Sequence, residues 1–290
     1  MASIDPAEAG RIVELAASDA PALCPLSDEA GWNQVAGDWR LMLGLGQGFG
    51  QRENGRWIGS ALTLPLAPSL CWVSMVLVTS TARGRGLGTE LLARCLAAAD
   101  ASGRVAGLDA TEFGRPIYLP LGFRDVFALS RWYWPAPAPA PVDPPVGIAV
   151  RALTAADLAP ICAYDAALSG LARPAILADL WRRSTDFGQL AIGRGGVKGF
   201  VLGRDGRSSW HIGPIVADDE ATALALLSAA AAALTAPVIV DIPDHHRQLG
   251  AWLGANGAVA PRRFMRMLRG DPPAPGEEAR IFALAGPELG

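Results

Sequence analysis

The 290-residue chain is short of the side chains that many enzyme classes recruit: it has three histidines, four cysteines and a single lysine, Lys198. With no lysine in the place that the nucleotide-binding loop Gly-x4-Gly-Lys-Ser/Thr requires, that loop is excluded. Cys24, Cys71, Cys95 and Cys162 show no C-x-x-C spacing, so neither a zinc site nor a disulfide framework is expected, and no metal is assigned. Charged residues make up only 18% and the formal net charge is -3, which argues against nucleic acid or an anionic membrane as the main partner. No 18-residue apolar window is free of polar or helix-breaking residues, and Asp5 and Glu8 stand where a secretory leader would be basic. Reduced thiols and the lack of a leader signal point to the cytoplasm.

What is abundant is apolar: 51% of the residues, enough for a globular chain of two domains. The stretch that organises it runs from Ser74 to Leu92, an apolar strand, a basic glycine-rich turn and a helix start. Gly84, Gly86 and Gly88 let the backbone approach a ligand where a Cβ would intervene. Leu87, Leu91, Leu92, Cys95, Leu96 and Ala99 share one helical face. The unpaired N–H groups of that helix's first turn therefore point back at the loop, a site for an anion. Arg83 and Arg85 add charges suited to phosphate oxygens. The dinucleotide fingerprint Gly-x-Gly-x-x-Gly does not fit: Gly84-Arg-Gly-Leu-Gly88 has the wrong third spacing, and Phe49 breaks the run from Gly44 to Gly50.

Arg83-Gly-Arg-Gly-Leu-Gly88 resembles the acyl-CoA loop, Gln/Arg-x-x-Gly-x-Gly/Ala, of the GCN5-related N-acetyltransferase (GNAT) superfamily. Leu108 to Phe123, ending Tyr118-Leu-Pro-Leu-Gly-Phe123, looks like the later tyrosine motif of the same superfamily. The resemblance implies acetyl transfer from acetyl-CoA to an amine by direct attack. It implies that the backbone of Val76, Leu77 and Val78 pairs with the pantetheine arm and that Arg83, Gly84, Arg85, Gly86, Leu87, Gly88 and Thr89 hold the pyrophosphate. Tyr118 would then protonate the leaving thiolate. A tyrosine is suited to that task, because its ordinary pKa near 10 lies above that of a thiol. Two departures stand out. Leu70 to Val78 contains no carboxylate where many relatives place a glutamate base, and Thr111 occupies a place where many have asparagine. Asp38 and the histidines His211, His245 and His246 are the remaining candidates for a base, besides water. Asp109 reads equally as a strand-end cap or a ligand.

Read from its start, the chain suggests a helix over residues 6 to 18, with Asp5 as N-cap and Pro6 in the first turn, then a loop containing Pro21 and Pro25. Trp32, Asn33, Gln34 and Asp38 gather amide and acid groups beside aromatics. They read either as an acceptor pocket or as a helix cap with core tryptophans. A β meander follows over residues 49–52, 56–66 and 70–78, its first turn marked by Asn54-Gly55. Strands are expected over 105–109 and 124–134.

Seven residues from Pro135 to Pro141 alternate proline and alanine and read as a linker. The expected organisation is a catalytic domain over 1–134, a linker over 135–146, a second domain over 147–270 and a loose or docking tail over 271–290. The second domain opens with a strand and Thr154 as N-cap, Asp157 three residues on. It repeats the plan of the first: helices over 155–168, 173–184 and 220–234, and strands near 190–192, 199–202, 210–216 and 238–241. It loses the cradle, since Ala217-Asp-Asp-Glu220 replaces the glycine loop and Leu253 stands in place of the tyrosine. The arrangement resembles tandem bacterial acetyltransferases with a degenerate C-terminal GNAT domain. The expected fold class is α/β (α+β), each domain a mixed, mainly antiparallel twisted sheet flanked by helices. The expected partner is a small-molecule amine. Protein lysine as acceptor, an acyl-CoA sensor without catalysis, and a homodimer stay open.

Overall fold

The computed structural model describes residues 10–137, 139–270, 272 and 276–290. Compactness divides the chain into a first unit ending at Leu108 and a second beginning at Asp109.

The first unit contains β1 (Ile12–Leu15), α1 (Ala20–Glu29), α2 (Ala36–Leu45), β2 (Gln47–Glu53), β3 (Arg56–Ala67), β4 (Leu70–Val78), α3 (Leu87–Ala101) and the start of β5 (Val105–Thr111). Strands β1 to β4 form an antiparallel meander, and β5 joins β4 in parallel. Asn54 and Gly55 both take positive φ (50° and 77°), the turn geometry that an Asn-Gly hairpin needs. Strand β3 is buried continuously from Trp57 to Leu64, as expected of a strand with helices on both faces. Leu87, Leu91, Leu92, Cys95, Leu96 and Ala99 are the buried residues of α3, the face read from the sequence.

Two expectations fail near the start. Asp5 and Pro6 lie outside the described residues, but Ile12–Leu15 is a strand paired with β2, with Ile12 opposite Gln51 and Leu15 opposite Gly48. Four residues are too few to show whether their apolar ends recur as helix or as strand, and the free edge of β2 decides. The expected loop is instead helix α1, with Pro21 in its first turn and Pro25 inside it. Burial of Ala20, Leu23 and Leu26 offsets the backbone bond that Pro25 cannot make.

The second unit contains α4 (Arg115–Tyr118), β6 (Phe123–Trp134), β7 (Ile148–Ala152), α5 (Leu158–Ser169), α6 (Pro174–Arg183), β8 (Gln189–Gly193), β9 (Gly196–Arg204), β10 (Trp210–Ala217), α7 (Glu220–Ala232), β11 (Val238–Pro243), α8 (Arg247–Ala255), β12 (Val259–Arg269) and β13 (Ile281–Ala283). Its strand order is β12-β6-β11-β10-β9-β8-β7. Strands β10 and β11 are parallel and the other neighbours antiparallel. Thr154 and Asp157 form the expected cap: Thr154 donates its N–H (2.8 Å) and its hydroxyl (2.7 Å) to Asp157 Oδ2.

Strand β6, which precedes the proline-rich segment, lies between β11 and β12 in this unit. Residues 281–289 are docked: Phe282, Ala283, Leu284, Ala285 and Leu289 are all buried. Pro273 and Pro275 lie outside the described residues.

Candidate active site

The cradle grows from the end of β4. Strand β4 keeps β3 along one edge as far as Val78. Along its other edge it pairs with β5 only from Leu70 to Trp72, opposite Val105 to Gly107. Past Trp72, among the described residues, no strand occupies that edge. A bulge falls in this unpaired part, where Met75 adopts φ +52° and its carbonyl accepts the hydroxyl proton of Ser60 at 2.9 Å. Bulges re-aim the groups that follow them. Val76 and Val78 are half-buried, and Leu77 turns into the core. The open edge therefore presents backbone donors and acceptors to an extended polar ligand, and an added strand or an amide-bearing arm satisfies them equally.

After Val78 the chain makes one 3-10 turn, Ser80–Ala82, and enters the glycine loop. Gly84 and Gly86 have φ +75° and +82°, and around the Cβ position of each there is open space. Left-handed backbone at both points is why glycine is needed there. Gly88 packs closer, its Cβ position lying 3.4 Å from Val78 Cγ2. Gly86 is the N-cap of α3, and the first intrahelical bond runs from Glu90 N–H to Gly86 O (3.1 Å). The amides of Leu87, Gly88 and Thr89 precede it and have no acceptor within the helix.

Both arginines are steered by backbone. Arg83 Nε donates to Val78 O (3.2 Å), and Arg85 Nη2 donates to Thr81 O (2.7 Å). Arg85 also faces Glu53 Oε1 at 3.5 Å. These side chains are exposed, so an arriving phosphate finds cations already oriented. Glu29, at the end of α1, accepts the N–H of Ser80 at 2.6 Å, which holds its carboxyl below the usual range and ties α1 to the entrance of the loop. Nothing in the sequence marks Glu29, because the contact joins residues 51 positions apart.

Of the candidate acceptor residues, Asp38 is fully buried and takes the Val35 N–H at 2.8 Å, the capping role. Trp32 is half-buried, and Asn33 and Gln34 are buried. Gln34 is the exception in chemistry: its Oε1 is buried with no hydrogen-bond partner among the described residues. An unpaired buried carbonyl costs roughly 1–3 kcal/mol, and a ligand N–H would relieve it.

Tyr118 belongs to the second unit and ends α4. Its ring packs on Phe123 with centroids 5.7 Å apart, and Gly122 at φ +86° turns the chain between them. Thr111 accepts the Gly114 N–H at its hydroxyl (3.1 Å), so the threonine that departs from the superfamily pattern closes the turn ahead of α4. Asp109 is neither cap nor open ligand. It is fully buried, and both its oxygens take hydrogen bonds from Arg266 at 2.9 Å.

Of the histidines, His211 and His246 are buried in the second unit, whereas His245 is exposed and meets the Phe127 ring edge-on with centroids 5.6 Å apart. His211 is buried with Nε2 3.0 Å from Asp241 Oδ2. Burial, and then the charge of Arg204, push its pKa down. His246 donates Nε2–H to Ile281 O (2.9 Å), and burial lowers its pKa to about 4. Where the second domain lost its glycine loop, its three carboxylates have other work. Asp218 is held by Tyr164 Oη (2.8 Å), Lys198 Nζ (3.1 Å) and Arg280 Nη1 (3.0 Å). Asp219 caps α7 by accepting the Thr222 N–H (2.7 Å), and Glu220 accepts the first amides of α8, Gln248 and Leu249, at 3.0 Å each.

Comparison with known proteins agrees with this geometry. Residues 18–116 match the acetyltransferase (GNAT) family and residues 161–283 an acetyltransferase (GNAT) domain. The chain belongs to the GNAT superfamily and carries two such domains. Among characterised or named sequences it is similar to holothin acyltransferase of Pseudoalteromonas sp., 27% identical over 89% of this chain and 91% of the relative. It is also similar to an uncharacterised N-acetyltransferase of Bacillus subtilis, 24% identical over 82% and 84%. A putative acetyltransferase from Pyrococcus horikoshii shares the fold with TM-score 0.75 at 18% identity, covering 97% of this chain and 95% of that one. A tandem GNAT protein from the clavulanic acid biosynthesis pathway shares it with TM-score 0.62 at 17% identity, covering 91% and 99%. Among the described residues no helix is long and apolar enough to cross a membrane, and no cluster of metal-ligating side chains is present.

Proposed function

We propose that the protein is an acyl-CoA-dependent N-acetyltransferase that acts on the amine of a small molecule. The observation that carries this reading is the continuity of the unpaired β4 edge with the glycine loop at the start of α3. Acetyl-CoA, when bound, supplies an activated acyl group as a thioester. The β4 backbone from Val76 to Val78 is the partner for its amide-bearing arm, and Arg83 to Thr89, with the first amides of α3, are the partners for its pyrophosphate. Tyr118 Oη is the proton donor to the departing sulfur. Gln34 Oε1 is an acceptor for an N–H of the amine and orients it.

No carboxylate lies on β4, His211 and His246 are held neutral by burial, and Asp38 is engaged as a cap. Exposed His245 and water remain the candidates to take the amine's proton, and an acceptor that arrives already neutral is favoured. The four cysteines are free, which supports a reducing compartment such as the cytoplasm.

The same lack of a strand carboxylate favours a second reading, a sensor that binds acyl-CoA without turnover. Release of CoA thiol, followed across a panel of amines, amino acids and lysine peptides, separates the two. Turnover with a small amine and its fall in Tyr118→Phe support the transferase, whereas silence with every acceptor leaves the sensor.

A further inference from the structure

The two units contain the same parallel ladder. In the first, three residues of β4 (Leu70–Trp72) pair with three of β5 (Val105–Gly107), and then the strands part. In the second, Trp210 to Ile212 of β10 pair with Val238 to Val240 of β11, and then these strands part as well. The wedge in the first unit is open on the β4 side. In the second unit it is filled.

The filling is the chain's own tail. Strand β13 lies antiparallel to β10, Ala283 opposite Ile215 and Ile281 opposite Val216, on the edge that β11 has vacated. The other edge of β10 belongs to β9 at the same residues. Across the wedge, Leu284 N–H donates to Asp241 O of β11 at 2.9 Å. Side chains fasten the segment along its length. His246 bonds Ile281 O and packs its ring on Phe282, with centroids 4.3 Å apart. Arg204 bonds both Ala285 O and Glu288, and Arg173 Nη1 donates to Gly290 O at 3.0 Å. Gly213, on β10, approaches so closely that a Cβ would collide with Leu284 O.

We infer that residues 281–289 occupy, as a permanent internal ligand, the cleft that corresponds to the acyl-CoA cleft of the first unit, so that each chain takes one acyl-CoA and the second cleft takes none. The backbone amides of the tail satisfy the β10 edge as a pantetheine arm would satisfy β4. Asp218, Asp219 and Glu220 complete the closure by replacing the anion-binding loop with carboxylates. The inference rests on the acyl-CoA reading of the first unit.

Hydrogen exchange resolved by residue on the full chain, with and without saturating acetyl-CoA, tests it beside calorimetric stoichiometry. The Leu284 amide should exchange at least about a hundredfold more slowly than an unstructured one, unchanged by acetyl-CoA, with one acetyl-CoA bound per chain. In Gly213→Val, or in Arg204→Gln should the first fail to fold, the Leu284 amide should lose protection while Val240 keeps it. A Leu284 amide that exchanges freely in the wild type, exchange there hastened by acetyl-CoA, or two acetyl-CoA per chain would overturn the inference. If acetyl-CoA binds nowhere, the transferase reading falls, and Leu284 protection still decides whether the tail is seated.

Discussion

Gly114 lies against the ring of Tyr118, with the position of a Cβ on Gly114 only 3.1 Å from Tyr118 Cε2. The backbone of Gly114 is ordinary (φ -79°), so alanine fits the chain and strains this contact and a second, to Thr111 Oγ1 at 3.3 Å. Gly114→Ala should displace the tyrosine without unfolding α4. We expect kcat to fall about tenfold with little change in KM for acetyl-CoA, and Tyr118→Phe to lower kcat about a hundredfold. Steady-state rates of CoA release check both; equal losses in kcat/KM and kcat for a variant that has lost α4 by circular dichroism would assign the effect to folding.

Gly86 caps α3 with left-handed backbone and open space at its Cβ position. Alanine there meets no neighbour and costs only the left-handed conformation, roughly 1–2 kcal/mol. If the loop relaxes to avoid that cost, its amides turn from the ligand. Gly86→Ala should therefore weaken acetyl-CoA by about tenfold, as 1.4 kcal/mol corresponds to one decade. Gly103→Ala, also left-handed and open but at the far end of α3, should destabilise the fold comparably and leave the affinity alone.

Removing Arg266 strands the Asp109 carboxylate, which is entirely buried. Burial already pushes the Asp109 pKa up against the pull of Arg266. Arg266→Met should destabilise the protein by about 3–5 kcal/mol, measured by urea unfolding. Asp109→Asn with Arg266→Met should recover part of that loss, because the stranded charge is gone.

Acid should weaken the second unit before ordinary carboxylates titrate. His246 has a native pKa of about 4 against an unfolded value of 6.5, so between those values the unfolded chain binds the extra proton. Its contribution is complete above pH 6.5, declines as the pH falls, and is lost once the pH has passed 4. His211 is shifted in the same direction. The urea midpoint should drop between pH 7 and 4, and His246→Phe should flatten part of that slope. A wild-type midpoint constant over this range would contradict the assignment.

Much of the site was legible because its signals are local. Asn54-Gly55 marks a hairpin, the three glycines mark a loop, and the apolar face from Leu87 to Ala99 marks the helix that closes it. Local chemistry likewise marks Thr154 and Asp157. What was hidden is pairing across long separations. The apolar content of β6 fits any sheet, and only the folded chain shows that it lies between β11 and β12. The tail's prolines leave a loose and a docking end equally open, and only the folded chain shows the apolar run from Ile281 to Ala285 on the free edge of β10. Helix α8 does not stand out in the sequence because two glycines, Gly250 and Gly254, weaken its pattern. Trp132 packs against both, which explains why small residues sit there.

The central claim is that the open β4 edge and the glycine loop bind acyl-CoA, and calorimetric titration of acetyl-CoA into the wild type and into Arg83→Ala/Gly86→Glu addresses it most directly. The account predicts saturable binding to the wild type and, at the same concentrations, none to the double variant with its fold intact by circular dichroism. Equal binding to both proteins, or no binding to the wild type, would contradict it.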